Sequence, residues 1–102
     1  LSRLYVHEKV ADALLAKVEQ EIDKIRIGDP TERATGLGPV INKRAHEAYA
    51  RYVADLKARG AKFRRGGRQP SEGAFARGYY VEPVLAEADL SDPLWKHEMF
   101  LP

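Results

Sequence analysis

The chain has 102 residues, 44% apolar and 31% charged, enough for one domain with a core and a solvated surface. Seventeen Lys and Arg against fifteen Asp and Glu leave a formal charge of +2, too mild a balance to imply a nucleic acid or an acidic membrane as partner. The lack of any cysteine excludes a disulfide scaffold, thiolate metal sites and a cysteine nucleophile within these residues.

Leu1 to His7 alternates and is rich in strand formers, which predicts a short strand over Arg3–Val6. From Glu8 the period changes. Val10, Leu14, Val18 and Ile22 are four apart, with Ala11, Leu15 and Ile25 beside them, and predict a helix of about five turns with one apolar stripe. Glu8 suits its positive N-terminal end, and Lys24 and Arg26 its negative C-terminal end. Ile27-Gly28-Asp29-Pro30 is a stop signal. Thr31 to Pro39 reads as loop, punctuated by Gly36, Gly38 and Pro39. Asn42 is a suitable N-cap for a second helix running to about Arg59. Its stripe is Ala45, Tyr49, Tyr52, Val53 and Leu56, and Gly60 stands at the C′ position.

Ala61 to Arg65 reads as a short strand with Lys62 and Arg64 on one face and Phe63 on the other. Gly66 to Gly78 carries five Gly or Pro punctuators and reads as a surface loop. Tyr79 to Leu85 has the strongest strand composition in the chain, and Pro83 confines it to an edge or a bulge. Ser91-Asp92-Pro93 predicts a helical start with Ser91 as cap and Pro93 in the first turn. A turn through Leu94 to Lys96 then presents His97 to Phe100 on its far side. There is no internal repeat, no apolar run near the roughly 20 residues of a membrane span, and no signal-peptide pattern. The expected setting is soluble and cytoplasmic, with no nucleic-acid and no membrane partner.

Most candidate sites have plain structural explanations. His7, His46 and His97 are far apart without ligand spacing, so they read as capping or surface residues rather than a metal site. Lys62, Arg64, Arg65 and Arg68 beside Phe63 could suit a nucleic-acid hairpin, but acidic residues follow closely and a solvated, charge-protected strand edge accounts for them. Gly66-Gly67 and Gly36-x-Gly38 lack the three spaced glycines of a dinucleotide cradle. Glu19, Glu21 and Asp23 read as solvated surface, and Tyr49 and Tyr52 as core. The last stretch, Leu94 to Pro102, holds the only Trp and the only Met, and a carboxylate two residues before a Phe. On composition alone Trp95, Met99 and Phe100 form a hydrophobic anchor with Glu98 exposed.

Four pieces in order resemble the aldehyde dehydrogenase superfamily. Ser2-Arg3-Leu4-Tyr5-Val6-His7 resembles the strand after that family's catalytic cysteine. Ile27-Gly28-Asp29-Pro30, followed by Gly38-Pro39-Val40-Ile41, resembles its helix-to-loop passage. Gly78-Tyr79-Tyr80-Val81-Glu82-Pro83-Val84 resembles its glycine-aromatic-aromatic strand, and His97-Glu98-Met99-Phe100-Leu101-Pro102 its glutamate-x-phenylalanine motif.

The resemblance implies an α/β fold, a partial three-layer sheet of the aldehyde dehydrogenase catalytic domain in the order β-α-α-β-β-(short α). Residues 1–102 are then a central fragment of that domain. It implies a parent enzyme oxidising an aldehyde or semialdehyde to a carboxylate with NAD or NADP. A cysteine thiolate attacks the aldehyde, hydride passes to the cofactor, and activated water releases the acid. By the match the nucleophile lies about three residues before Leu1; the general base, the oxyanion-hole asparagine and the dinucleotide domain lie upstream, and the rest of the substrate site and the oligomerisation strand downstream. Implied partners are a small aldehyde substrate, the rest of the parent chain, and further copies in a homo-oligomer. No catalytic and no metal-binding residue is expected within the chain.

Glu98 resembles the glutamate that hydrogen-bonds the hydroxyls of the nicotinamide ribose, a task that suits an acceptor-only carboxylate. Phe100 resembles the phenylalanine packed beside that ribose. Two positions depart from the family pattern: His97 stands where a second glutamate is common, and Leu101-Pro102 where Gly-Pro is common. Trp95 and Leu101 resemble the 1-pyrroline-5-carboxylate (glutamate semialdehyde) dehydrogenase branch. Two other readings of the residues stand beside this one: a small α/β interaction module that docks a partner through Trp95 to Phe100, and nucleic-acid binding through Lys62 to Arg68.

Overall fold

The computed structural model describes residues 3–102. Its elements run α1 (Glu8–Asp23), α2 (Lys43–Ala58), β1 (Lys62–Arg65), a 3-10 turn (Gly73–Arg77), β2 (Leu85–Glu87) and a second 3-10 turn (Pro93–Lys96). The α/β character agrees with the sequence reading, but the ladder is smaller than expected. Among the described residues β1 and β2 pair antiparallel in one two-stranded sheet, and a single parallel bridge joins Ile27 and Leu37.

Two expected strands do not form among the described residues. Arg3 to Val6 has no partner strand and stays unladdered; Leu1 and Ser2, which open that alternating stretch, lie outside the described residues. Tyr79 to Val84 is extended without a ladder, and only Leu85 of the expected strand joins one. Its backbone groups are used singly: Tyr79 O accepts from Val40 N (2.8 Å), Glu82 N donates to Arg68 O (3.1 Å), and Val84 N reaches Pro102 O (3.4 Å). Strand composition favours an extended backbone, but a sheet also needs a neighbour in register. A third change is the loop Gly66–Gly78, which contains the 3-10 turn and lays Phe75 edge-on against Tyr80, ring centroids 5.0 Å apart.

The helices begin and end on local chemistry. His7 Nδ1 accepts from Lys9 N and caps α1, and Asn42 Oδ1 accepts from Ala45 N at 2.9 Å and caps α2. At the end of α2, Gly60 N donates to Lys57 O and Ala61 N to Leu56 O, with Gly60 at φ +82. This paired closure requires a left-handed residue, which glycine adopts without a Cβ clash.

The core sits between α2 and the extended segment. Tyr49, Val53 and Val81 are buried, and Val40, Phe63, Val84 and Leu101 pack on them. The Tyr49 hydroxyl donates to Glu82 O (2.6 Å) and accepts from Gly67 N (2.9 Å), so one side chain pins the extended segment and the glycine loop to the helix. Burial pushes the Tyr49 phenol up to about 12, with the Gly67 N–H opposing and the nearby Glu82 charge adding to the rise.

Helix α1 is attached differently. It buries no residue fully; its inward, half-buried side is Ala11, Leu15, Val18, Glu19 and Ile22, whereas Val10 and Leu14 of the expected stripe are exposed. Glu19 faces inward, not to solvent, because β1 meets it with two guanidiniums. Arg64 pairs with Glu19 (3.0 Å), Asp12 (3.5 Å) and Glu87; Arg65 pairs with Glu19 (2.8 Å) and Asp23 (2.7 Å). A regular strand would send consecutive side chains to opposite faces. A register shift between Phe63 and Arg65 breaks that alternation, so both arginines reach α1. The hydrogen bond from Arg65 holds the Asp23 carboxyl below its ordinary range, and that from Arg64 does the same for Glu87.

Candidate functional site

The segment after β2 is built in three short pieces. Asp89 begins the turn: its Oδ1 accepts from the backbone and hydroxyl of Ser91, and its carbonyl accepts from Trp95 Nε1 at 2.7 Å. Ser91 is therefore engaged with Asp89 and does not cap the 3-10 turn. Asp92 does, its Oδ1 accepting from Leu94 N at 2.8 Å, with Pro93 in the first position. An ionised carboxylate accepts two bonds at once, so Asp92 also binds Arg59 Nε through Oδ2 at 2.8 Å. These two donors, Arg59 first, hold its carboxyl below the ordinary range.

Beyond the turn His97 is extended, at φ −126 and ψ 142. From Glu98 on, exposed and half-buried residues alternate. Met99 and Leu101 turn inward and line a cavity of about 110 Å³ with Tyr52, Leu56, Leu94 and Trp95. Glu98 and Phe100 are exposed, Phe100 at 83%. The hydrophobic anchor expected here is thus Trp95, Met99 and Leu101, and Phe100 is not part of it. Phe100 has φ +51, the one non-glycine positive φ among the described residues. A large side chain in this region costs roughly 1 kcal/mol or more and is held there by its surroundings. Here the half-buried Met99 and Leu101 on either side of it supply the hold.

Glu98 and Phe100, the two positions singled out from the sequence, are both exposed on a segment whose Met99 and Leu101 are half-buried. Their chemistry fits a nicotinamide ribose: an exposed acceptor-only carboxylate for vicinal hydroxyls, and an exposed aromatic ring two residues on. The sequence reading missed two features of this site, the Arg59–Asp92 pair and the left-handed backbone of Phe100. Asp-Pro after a serine offered a signal for the first; nothing local marks the second.

The other candidates do not gather. Among the described residues no group of His, Asp and Glu is arranged to hold a metal ion. Three of the four basic side chains at 62–68 are ion-paired, Arg68 to Glu82 at 2.6 Å and the others to α1 and β2. His46 lies against the Tyr79 ring, centroids 5.7 Å apart.

The aldehyde dehydrogenase family model matches residues 1–102, the whole chain. The chain belongs to the aldehyde dehydrogenase family. It is 35% identical over 102 residues to the chloroplastic betaine aldehyde dehydrogenase of Amaranthus hypochondriacus, covering 99% of this chain and 20% of that protein. It is 36% identical to the NADP(+) D-glyceraldehyde dehydrogenase of Picrophilus torridus, covering 98% of this chain and 20% of that one. The fold matches betaine aldehyde dehydrogenase of Staphylococcus aureus in complex with NAD+, with a TM-score of 0.89 at 27% identity, over 97% of this chain and 20% of that chain. The chain spans about a fifth of the length of these relatives.

Proposed function

We propose that these 102 residues form the central part of the catalytic domain of a longer, homo-oligomeric, cytoplasmic aldehyde dehydrogenase that oxidises an aldehyde or semialdehyde to a carboxylate with NAD or NADP. Within it, Glu98 and Phe100 belong to the cofactor site. The observation that supports this reading is their joint exposure, with Phe100 in a left-handed conformation and Met99 and Leu101 packed into the cavity beside them. Glu98 accepts hydrogen bonds from the two ribose hydroxyls; it neither donates nor removes a proton in the chemistry. Phe100 bounds the space on the ring side. The bound nicotinamide supplies the hydride acceptor, and these two residues fix where it lies. Holding a reacting ring in place is a positioning effect, and a shift of about 1 Å can cost roughly a hundredfold in rate.

Since the chain contains no cysteine, the nucleophile comes from sequence outside it, and the 102-residue chain alone is predicted to be inactive. For the substrate, Trp95 and Leu101 support a semialdehyde of the 1-pyrroline-5-carboxylate type, whereas relatives named for betaine aldehyde, aminoaldehydes and D-glyceraldehyde support other small polar aldehydes. A substrate panel on the full-length enzyme with both cofactors separates them by kcat/KM. In the same enzyme Glu98→Gln is expected to weaken NAD(P) binding by roughly tenfold or more, the loss of a charge-assisted bond. Unchanged cofactor binding would remove Glu98 from the site.

A further inference from the structure

Asp92 is the one charged or polar residue that is buried among the described residues, at 8% exposure. A neutral cap would close the Pro93–Lys96 turn as well, and a buried carboxylate is stable only when it is paired and hydrogen-bonded. Its second partner is what the site needs explained. Arg59 is the C-cap residue of α2, so the pair ties the end of that helix to the turn five residues before Glu98. The downstream end of the same segment is tied by Leu101, packed on the core, and by Pro102 O facing Val84 N. Glu98, Met99 and Phe100 lie between two anchors, with Met99 itself packed into the cavity. One is apolar and set by core packing. The other combines a directed ion pair with the packing of Leu94 and Trp95 beside Tyr52 and Leu56 of α2.

We propose that Arg59 is a positioning residue for the cofactor site, acting through Asp92 to set where Glu98 and Phe100 stand. This rests on the reading of Glu98 and Phe100 as cofactor ligands. Arg59 itself touches neither the cofactor nor the reacting atoms. Its planar guanidinium presents Nε to Asp92 Oδ2 along a fixed direction, while Oδ1 stays with Leu94 N. The two bonds lock both oxygens of one carboxylate, and thereby the orientation of the turn relative to α2. Lysine keeps the charge but lacks the rigid fork. Without the pair the turn keeps its cap and the packing of Leu94, and loses the directed bond that fixes its angle to the helix.

The test uses the full-length enzyme with four variants: Arg59→Met, Arg59→Lys, Asp92→Asn and the Arg59→Met/Asp92→Asn double. Expected for Arg59→Met is an NAD(P) dissociation constant and KM raised by roughly tenfold, with the aldehyde KM within about twofold of the parent. Arg59→Lys recovers part of the loss. Asp92→Asn keeps an oxygen for Leu94 N and reproduces the Arg59→Met effect, and the double variant is no worse than either single, the non-additivity of one shared interaction. Glu98→Gln is measured alongside. If it weakens cofactor binding while Arg59→Met, Arg59→Lys and Asp92→Asn leave it unchanged, the positioning role is overturned and the cofactor reading stands. Equal rises in cofactor and aldehyde KM, tracking a lowered melting temperature, also overturn it, because they report general destabilisation. If Glu98→Gln leaves cofactor binding unchanged, the cofactor reading fails and the positioning role fails with it. Should Arg59→Met not accumulate as folded enzyme, Arg59→Lys and Asp92→Asn decide by the same criteria.

Discussion

Replacing Tyr49 by phenylalanine isolates the bond pair that joins α2 to the rest of the core. The ring is retained, so packing against Val53 and Val81 changes little. What disappears is one hydroxyl with two partners, Glu82 O at 2.6 Å and Gly67 N at 2.9 Å. Each partner loses a bond in a largely buried setting, at about 1–2 kcal/mol apiece, which gives a destabilisation of about 2–4 kcal/mol. For a domain with 5–15 kcal/mol in total this is a large fraction. With a urea slope of about 1–3 kcal/mol per molar, the unfolding midpoint of the 102-residue chain, followed by far-ultraviolet circular dichroism, should drop by roughly 1–2 M. The same residue makes an alkaline signature. The folded phenol is raised to about 12 from its ordinary value of 10.0, so its stabilising contribution is intact below about pH 10 and is lost as pH rises through about 12, by at most about 1.4 kcal/mol per pH unit. A spectrophotometric titration at about 295 nm, parent minus Tyr49→Phe, should show a midpoint near 12. A midpoint near 10, or an unchanged urea midpoint, would refute the hydroxyl as a pin.

Other substitutions probe separate joints. Gly66→Ala should destabilise the chain by more than about 2 kcal/mol, because φ is +77 and a Cβ there would overlap the Pro83 carbonyl; the urea midpoint reads it. Helix α1 is held by the Glu19, Asp23, Arg64 and Arg65 network rather than by full burial, so Glu19→Gln or about 1 M salt should selectively speed amide exchange in α1 while α2 stays protected. Asp23, Glu87 and Asp92 all have lowered carboxyl values. Their stabilisation is therefore present above the ordinary carboxylate range near pH 4 and lost as pH falls below it, visible as an acid limb that Arg65→Met shortens. Phe100→Ala should leave the melting temperature of the full-length enzyme within about 2 °C, since the ring is exposed, yet weaken NAD(P) binding; an effect on stability alone would contradict the assignment.

What the sequence made legible was what local chemistry decides. Asn42 and Gly60 bracket α2 because a side-chain acceptor and a left-handed glycine act within a few residues of themselves. The stripe Tyr49, Val53 and Leu56 marks the buried face for the same reason. The strands were less legible because pairing is a long-range matter. Tyr79 to Val84 is rich in strand formers, yet its backbone groups go one at a time to Val40, Arg68 and Pro102. Glu19 and Asp23 looked solvated because their partners lie more than 40 residues away, on a strand whose register shift the sequence does not announce. At the proposed site, the motif marks Glu98 and Phe100, while the packing of Met99 and Leu101 into the cavity depends on residues of α2 that are distant in sequence. Asp92 was overlooked as cap because Ser91 precedes it, and its partner Arg59 is 33 residues distant.

The central claim is that Glu98 places the nicotinamide and takes no part as acid or base. The most direct measurement is the primary deuterium isotope effect on single-turnover NAD(P)H formation by full-length Glu98→Gln, using aldehyde deuterated at the carbonyl carbon. Glu98→Gln should show slower hydride transfer with a larger isotope effect, and a pH profile of the same shape as the parent's. An unchanged rate and isotope effect, or loss of a basic limb from the pH profile, would contradict it.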